Sequence, residues 1–218
     1  MNFYLGTHKP RWLEQVSYPL FVSRRTLARL MGPRQRRGLP RALGRWALDS
    51  GGFSELKLYG RWETPPRSYV AEVRRFRDEI GGLDWAAIQD WMCEPFMLNR
   101  TGLTTAEHQC RTVESYLELR DLAPEIPWTP VIQGYFIDDY MRHVALYDHH
   151  QIDLWAMPIV GLGSVCRRQA TQEALGIIQE LASLGLNLHG FGLKKKAFQI
   201  GAQRYLTSSD SLAWSFQA

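Results

Sequence analysis

Short apolar runs alternate along this chain with longer stretches whose apolar residues recur at helical spacing. Eight runs read as strands: Phe3–Gly6, Leu20–Ser23, Trp46–Ser50, Ala86–Asp90, Pro130–Gln133, Trp155–Val160, Leu188–Phe191 and Arg204–Thr207. The helical spacing predicts helices over Ser68–Ile80, Thr105–Leu122, Ile137–Asp148 and Thr171–Leu184, the second opening on a Thr-x-x-His cap-like turn. Strands that alternate with helices point to parallel β/α architecture. Eight such strands in 218 residues favour a (β/α)8 TIM-like barrel, with a doubly wound open sheet as the alternative. Few residues follow the last strand, so the eighth helix is expected to be short or missing. Without a repeat or an obvious linker, residues 1–218 read as one domain, long enough to bury a sizeable core.

Polar or glycine residues fall at every strand end. His8 follows the first strand and Ser23-Arg24-Arg25 the second. Asp49-Ser50-Gly51-Gly52 ends the third, Gln89-Asp90 the fourth and Gln133-Gly134 the fifth. Gly161-Leu162-Gly163 follows the sixth, Gly190-Phe191-Gly192 lies at the seventh and Ser208-Ser209-Asp210 follows the eighth. One such residue is ordinary turn chemistry. In a barrel all eight ends converge on the face where active sites form.

Composition narrows the class. The apolar runs are too short to span a bilayer, and the N-terminus lacks the apolar core of a signal peptide. Cys93, Cys110 and Cys166 lie far apart with no CxxC pair, which argues against a disulfide framework or a cysteine zinc site and suits a reducing cytoplasm. His149-His150 has no matching metal ligands, and Trp91 and Cys93 read as core. Net charge is +4, yet residues 1–48 carry ten Lys/Arg and only Glu14 as an acid. This block, densest at Arg34-Gln35-Arg36-Arg37, reads either as a nucleic-acid backbone contact or as a solvated loop. Arginine dominates it, and its planar fork suits phosphate.

Several motifs carry a family resemblance. Asp49-Ser-Gly-Gly-Phe53 matches the DSGGF motif of tRNA-guanine transglycosylases, Ile132-Gln133-Gly134 resembles their VQG strand, and Val160-Gly161-Leu162-Gly163 resembles their glycine-rich segment. Ser209-Asp210 sits where their nucleophilic aspartate falls. The segments FYLGTHKPRWL, LDSGGFSEL, QDWMCEP, VGLGSVCRRQ, HGFGLK and SSDSLAWS are closer to the DNA branch, the DpdA-type DNA 7-deazaguanine transglycosylases of phages and bacteria. The tRNA enzymes carry a CxCxxC…His zinc site beyond the nucleophile. The eight residues after Asp210 hold no cysteine, which moves the expected substrate from tRNA toward DNA.

The resemblance implies exchange of guanine in DNA for a 7-deazaguanine such as preQ0. Breaking an N-glycosidic bond builds positive charge at the sugar C1′, which a carboxylate can trap covalently while a second carboxylate handles protons. Two displacements preserve configuration, as in retaining glycosidases. By resemblance Asp210 is the nucleophile and Asp49 the general acid/base. Ser50, Gly51, Gly52, Asp90, Gln133 and the Gly161 N–H would meet the base: the carboxylate accepts from its N1–H and amine edge, and the amide donors serve O6. His8, Arg24, Arg25, Arg36, Arg37, Lys194 and Lys195 are candidates for the nucleic-acid backbone. Such an exchange needs no organic cofactor and no nucleotide hydrolysis, and no metal is expected. The target base must leave the duplex stack. In a phage, a genome modified in this way would be expected to resist host restriction enzymes. Three alternatives compete: the same chemistry on RNA, a non-catalytic nucleic-acid-binding barrel, and a glycoside hydrolase. DSGGF and the clustered arginines argue against the last.

Overall fold

Alternation along short strands sorts the side chains between two environments. The computed structural model describes residues 1–32, 38–165, 168 and 171–213. Its strands are β1 (Asn2–Thr7), β2 (Leu20–Ser23), β3 (Trp46–Asp49), β4 (Leu83–Ala87), β5 (Trp128–Thr129), β6 (Val131–Ile132), β7 (Val160–Leu162), β8 (Leu188–Gly190) and β9 (Ser208–Ser211). All pair in parallel, in the order β5-β4-β3-β2-β1-β9-β8-β7-β6. The two end segments, β5 and β6, are consecutive in the chain and are separated only by Pro130. Proline has no N–H to give a ladder, so the run breaks there. Thr129 pairs with β4 and Val131 with β7. The run therefore bridges both ends of the sheet, which forms the expected TIM-like barrel.

The helices are α1 (Arg24–Leu30), α2 (Gly52–Tyr59), α3 (Pro66–Ile80), α4 (Pro95–Thr101), α5 (Thr105–Leu122), α6 (Ile137–His149), α7 (Gln172–Ser183) and α8 (Lys195–Gln199). The four long ones fall where helical spacing placed them. The cap of α5 lies one residue earlier than its sequence suggested: Glu107 N–H donates to Thr104 Oγ1 and Thr104 N–H donates back to Glu107 Oε2. The four short helices follow strand ends that read as loops, because one or two turns hold too little periodicity to register.

Three strands sit in different places from their sequence assignments. β4 covers 83–87 rather than 86–90, so Asp90 lies three residues past its end. The sixth run, Trp155–Val160, is largely a turn: Asp153 accepts N–H bonds from Trp155 and Ala156, Pro158 follows, and the strand covers only 160–162. The eighth run, Arg204–Thr207, begins on a 3₁₀ turn at Ala202–Arg204, and the strand is Ser208–Ser211. Asp210 thus lies on a strand and not after one.

Outward residues such as Leu20, Val22, Trp46, Leu48 and Ala86 join the large core beneath the helices. Inward residues form two levels. Low in the barrel, Tyr4, Phe21, Trp85 and His189 interlock, with the Trp85 and His189 rings 4.7 Å apart and the Phe21 and Trp85 rings 5.5 Å apart. Above them, small or polar residues from five strands, Gly6, Ser23, Asp49, Ala87 and Asp210, line the cavity beside the ring of Phe191. Large rings plug the lower level, and small side chains leave the upper level open.

Candidate active site

The upper level opens into a cavity of about 410 Å³. Asp49, Ser50, Asp90, Gln133 and Asp210, drawn from four strands and their loops, all line it, as does His8 at its rim. Candidates from His8 to Asp210 therefore share one space.

Asp49 ends β3 and is half-buried. Burial raises its pKa above the usual carboxylate range, and the charge of Asp210 adds to the rise. Hydrogen bonds from the Gly51 N–H and the Ser23 hydroxyl pull the other way. Gly51 has φ +79°, a left-handed turn that glycine adopts without strain and that aims its N–H back at the carboxylate. Neither Gly51 nor Gly52 lines the cavity. An added Cβ on Gly52 would press on Trp62 and Met92, so this glycine serves packing behind the site.

Asp210 is buried on β9. Gly192 N–H donates to its Oδ1 at 2.8 Å, and His189 Nε2 lies 3.3 Å from the same oxygen.

The opposite wall is a continuous network. Gln133 Nε2 donates to Asp90 Oδ2 at 2.5 Å, and Ser50 Oγ lies 3.4 Å from Asp90 Oδ1. Ser164 Oγ accepts from the Cys93 N–H and sits 2.6 Å from Gln133 Oε1 and 3.0 Å from Glu94 Oε2. Asp90 is pushed up to about 7, first by burial and next by the charge of Asp49, with the Gln133 bond resisting. Helices behind the wall fix these groups. Trp91 N–H donates to Thr112 Oγ1 on α5, and His108 Nδ1 lies 2.7 Å from the Met92 carbonyl. Gln133 N–H donates to His143 Nδ1 on α6, while Gln109 Nε2 donates to the Gln133 carbonyl. Burial pushes His143 down to about 4, so it serves as a neutral acceptor.

Glu94, Ser164, Ser23 and His189 joined the site without having been singled out. Ser164 carried one available signal, its place just after the glycine-rich segment. It is buried at φ +57°, a conformation rare for a residue with a Cβ. Gly161, by contrast, lies inside β7, away from the cavity. Its N–H donates to the Pro130 carbonyl in the sheet ladder, so it has no N–H to offer a base. Gly163 and Ser164 line the cavity at the end of that strand.

The basic candidates separate in the same way. Arg24 is buried at the start of α1, where Nε and Nη2 donate to Glu72 and Nη1 to Glu55. This arginine ties α1 to α2 and α3 and does not face solvent phosphate. Arg25 also reaches Glu55, at 3.3 Å, but stays partly exposed. Lys194 and Lys195 are exposed at the start of α8, beyond the end of β8. Arg36, Arg37 and Cys166 lie outside the described residues. Among those residues no group of three or more His, Cys, Asp or Glu side chains could hold a metal ion, and no helix is long and apolar enough to cross a membrane.

No curated protein matches the chain. The family described as DpdA, DeoxyPurine in DNA protein A, matches residues 1–218, the whole of the sequence. A barrel whose upper level gathers these carboxylates, carried on a chain matched over its full length, thus belongs to the DpdA family.

Proposed function

We propose that this protein exchanges guanine in DNA for a 7-deazaguanine base such as preQ0 by two displacements at one sugar carbon. Membership of the DpdA family supports a DNA-modifying role of the transglycosylase type. The observation that carries the finer reading is the convergence of Asp49 and Asp210 on one cavity that Asp90 and Gln133 also line. About 410 Å³ falls in the range of small-molecule pockets, and a base rotated out of the stack is a ligand of that class.

In the first displacement an Asp210 oxygen bonds to C1′ as the C1′–N9 bond breaks, and Asp49 delivers a proton to the departing guanine. Burial raises the pKa of Asp49, which favours the protonated form that this step uses. In the second, the incoming base loses its N9 proton to Asp49, bonds to C1′ and expels the Asp210 carboxylate. Protons and charge balance over the cycle, and configuration is retained. Asp90 as a carboxylate accepts from the base's N1–H and amine, with Ser50 and Gln133 holding it in place. His8, Arg25, Lys194 and Lys195 would contact DNA phosphates, with Arg36 and Arg37 assigned the same role by their charge.

The deciding assay is incorporation of labelled guanine or preQ0 into DNA and, in parallel, into tRNA. Incorporation into DNA that Asp210→Asn abolishes supports the proposal. Incorporation into tRNA alone transfers the chemistry to RNA and overturns it. A barrel that binds DNA but exchanges no base, with or without the aspartates, would be a non-catalytic binding module.

A further inference from the structure

His189 stands apart from every group assigned so far. It is fully buried on β8 and packed against the rings of Tyr4, Phe21, Trp85 and Phe191, at centroid distances from 4.7 to 6.0 Å. An imidazole in such a box needs partners for both nitrogens. Register supplies them: His189 lies opposite Ser208 on β9, and Asp210 shares the inward face of that strand two residues on. Nδ1 lies 2.8 Å from Ser208 Oγ, and Nε2 lies 3.3 Å from Asp210 Oδ1.

We infer that His189 is a positioning residue for Asp210, holding one carboxylate oxygen so that the other faces C1′. The inference rests on the proposed role of Asp210. A carboxylate only accepts, so a proton belongs on Nε2, while Nδ1 pairs with the Ser208 hydroxyl. Gly192 N–H donates to the same Oδ1. Two donors converge on Oδ1 of a side chain that lines the cavity, which assigns the other oxygen, Oδ2, to C1′. Serine, histidine and aspartate in line resemble a hydrolase triad, but the polarity is reversed. Ser208 is fully buried and away from the cavity, whereas Asp210 lines it. The serine pairs with Nδ1, the histidine donates, and the aspartate reacts.

The consequence follows through both displacements. When Oδ2 bonds to C1′, Oδ1 becomes the ester carbonyl and keeps both donors. When the incoming base attacks, negative charge returns to the carboxylate, and the same donors stabilise it as the leaving group. His189 transfers no proton. Its loss should slow release of the sugar more than attack on it.

The test compares His189→Phe, which keeps a ring in the aromatic box, with His189→Gln, whose amide nitrogen reaches about as far as Nε2. His189→Phe should lower kcat for base exchange about 100-fold, leave the KM for the base within about threefold, and accumulate a covalent DNA–protein adduct on denaturing gels. His189→Gln should recover most of the rate. Wild-type rates in His189→Phe overturn the inference, as do equal losses in both variants with no adduct. Should His189→Phe fail to fold, ¹⁵N-labelled histidine in the wild-type protein decides: a protonated Nε2 supports the inference and a protonated Nδ1 alone overturns it. Wild-type protein that exchanges no base defeats the parent reading and this one together, an outcome distinct from an active His189→Phe.

Discussion

The two walls of the cavity treat their carboxylates differently. On one, Asp49 and Asp210 are held by single N–H and hydroxyl donors and by a histidine. On the other, Asp90 is tied through Gln133 and Ser164 into a chain that includes Glu94, and helices α5 and α6 brace that chain from behind. A group that must form and break a bond gains from few, well-aimed contacts. A group that must recognise a flat polar edge gains from a rigid frame whose every bond is specified. Under the proposed function, the first wall carries the chemistry and the second the recognition. That division requires that damage to each wall be read in a different kinetic constant.

The largest effect should come from the first wall. Asp210→Asn and Asp49→Asn should each lower kcat for labelled-base exchange by at least about a thousandfold, while thermal melting shows a folded barrel. Substantial exchange by Asp210→Ala would break the comparison outright. On the second wall, Gly163→Ala offers a cleaner probe than removing Gln133. The new Cβ would lie 2.3 Å from Gln133 Nε2 and 2.5 Å from its Cδ and Oε1, so the amide must leave its place between Asp90 and Ser164. Losing those bonds costs about 2 kcal/mol. The KM for the base should rise about 30-fold with kcat little changed, and a fall in kcat with constant KM would merge the two walls into one.

A smaller effect tests the recognition wall through pH. Asp90 sits at about 7, and the N1–H and amine of a guanine-type base need its ionised form. Calorimetric affinity for the base should therefore rise as pH climbs from 6 to 8, by at most about tenfold per pH unit below 7. Asp90→Asn should bind weakly at every pH. A slope unchanged in that variant would place the titrating group elsewhere.

How much of this was legible in the sequence follows from where each partner lies. Asp49 came with five consecutive residues, and α5 came with 18 residues of pattern, so both were readable. Asp210 was identified but misplaced, since β9 reads Ser-Ser-Asp-Ser and a polar strand inside a barrel leaves no hydrophobic trace. The apolar residues just before it drew the assignment instead. Arg24 looked like a surface charge because Glu55 and Glu72 lie 31 and 48 positions away, and only the fold brings them together. Ser164, Glu94 and His189 share that cause, each gaining its role from a partner on another strand or loop.

The smallest expected signal lies in the stability of the empty protein, where the recognition wall contains two opposing titrations. Asp90 has its pKa raised by folding, from 3.8 to about 7. As pH rises through that window the unfolded chain gives up its proton first, so stability from Asp90 is full below 3.8 and lost by about 7. His143 is depressed from 6.5 to about 4, so its contribution is full above 6.5 and lost as pH falls toward 4. Each swing is at most a few kcal/mol, and between pH 4 and 6.5 the two run in opposite directions. The Asp90–His143 pair therefore leaves little net slope. Asp90→Asn removes one arm. Its urea midpoint should exceed that of wild type at pH 8, and the excess should shrink to nothing near pH 4, where wild-type Asp90 is already neutral. A constant offset across that range would mean that Asp90 stays ionised in the fold, and its grip on the base would then not vary with pH.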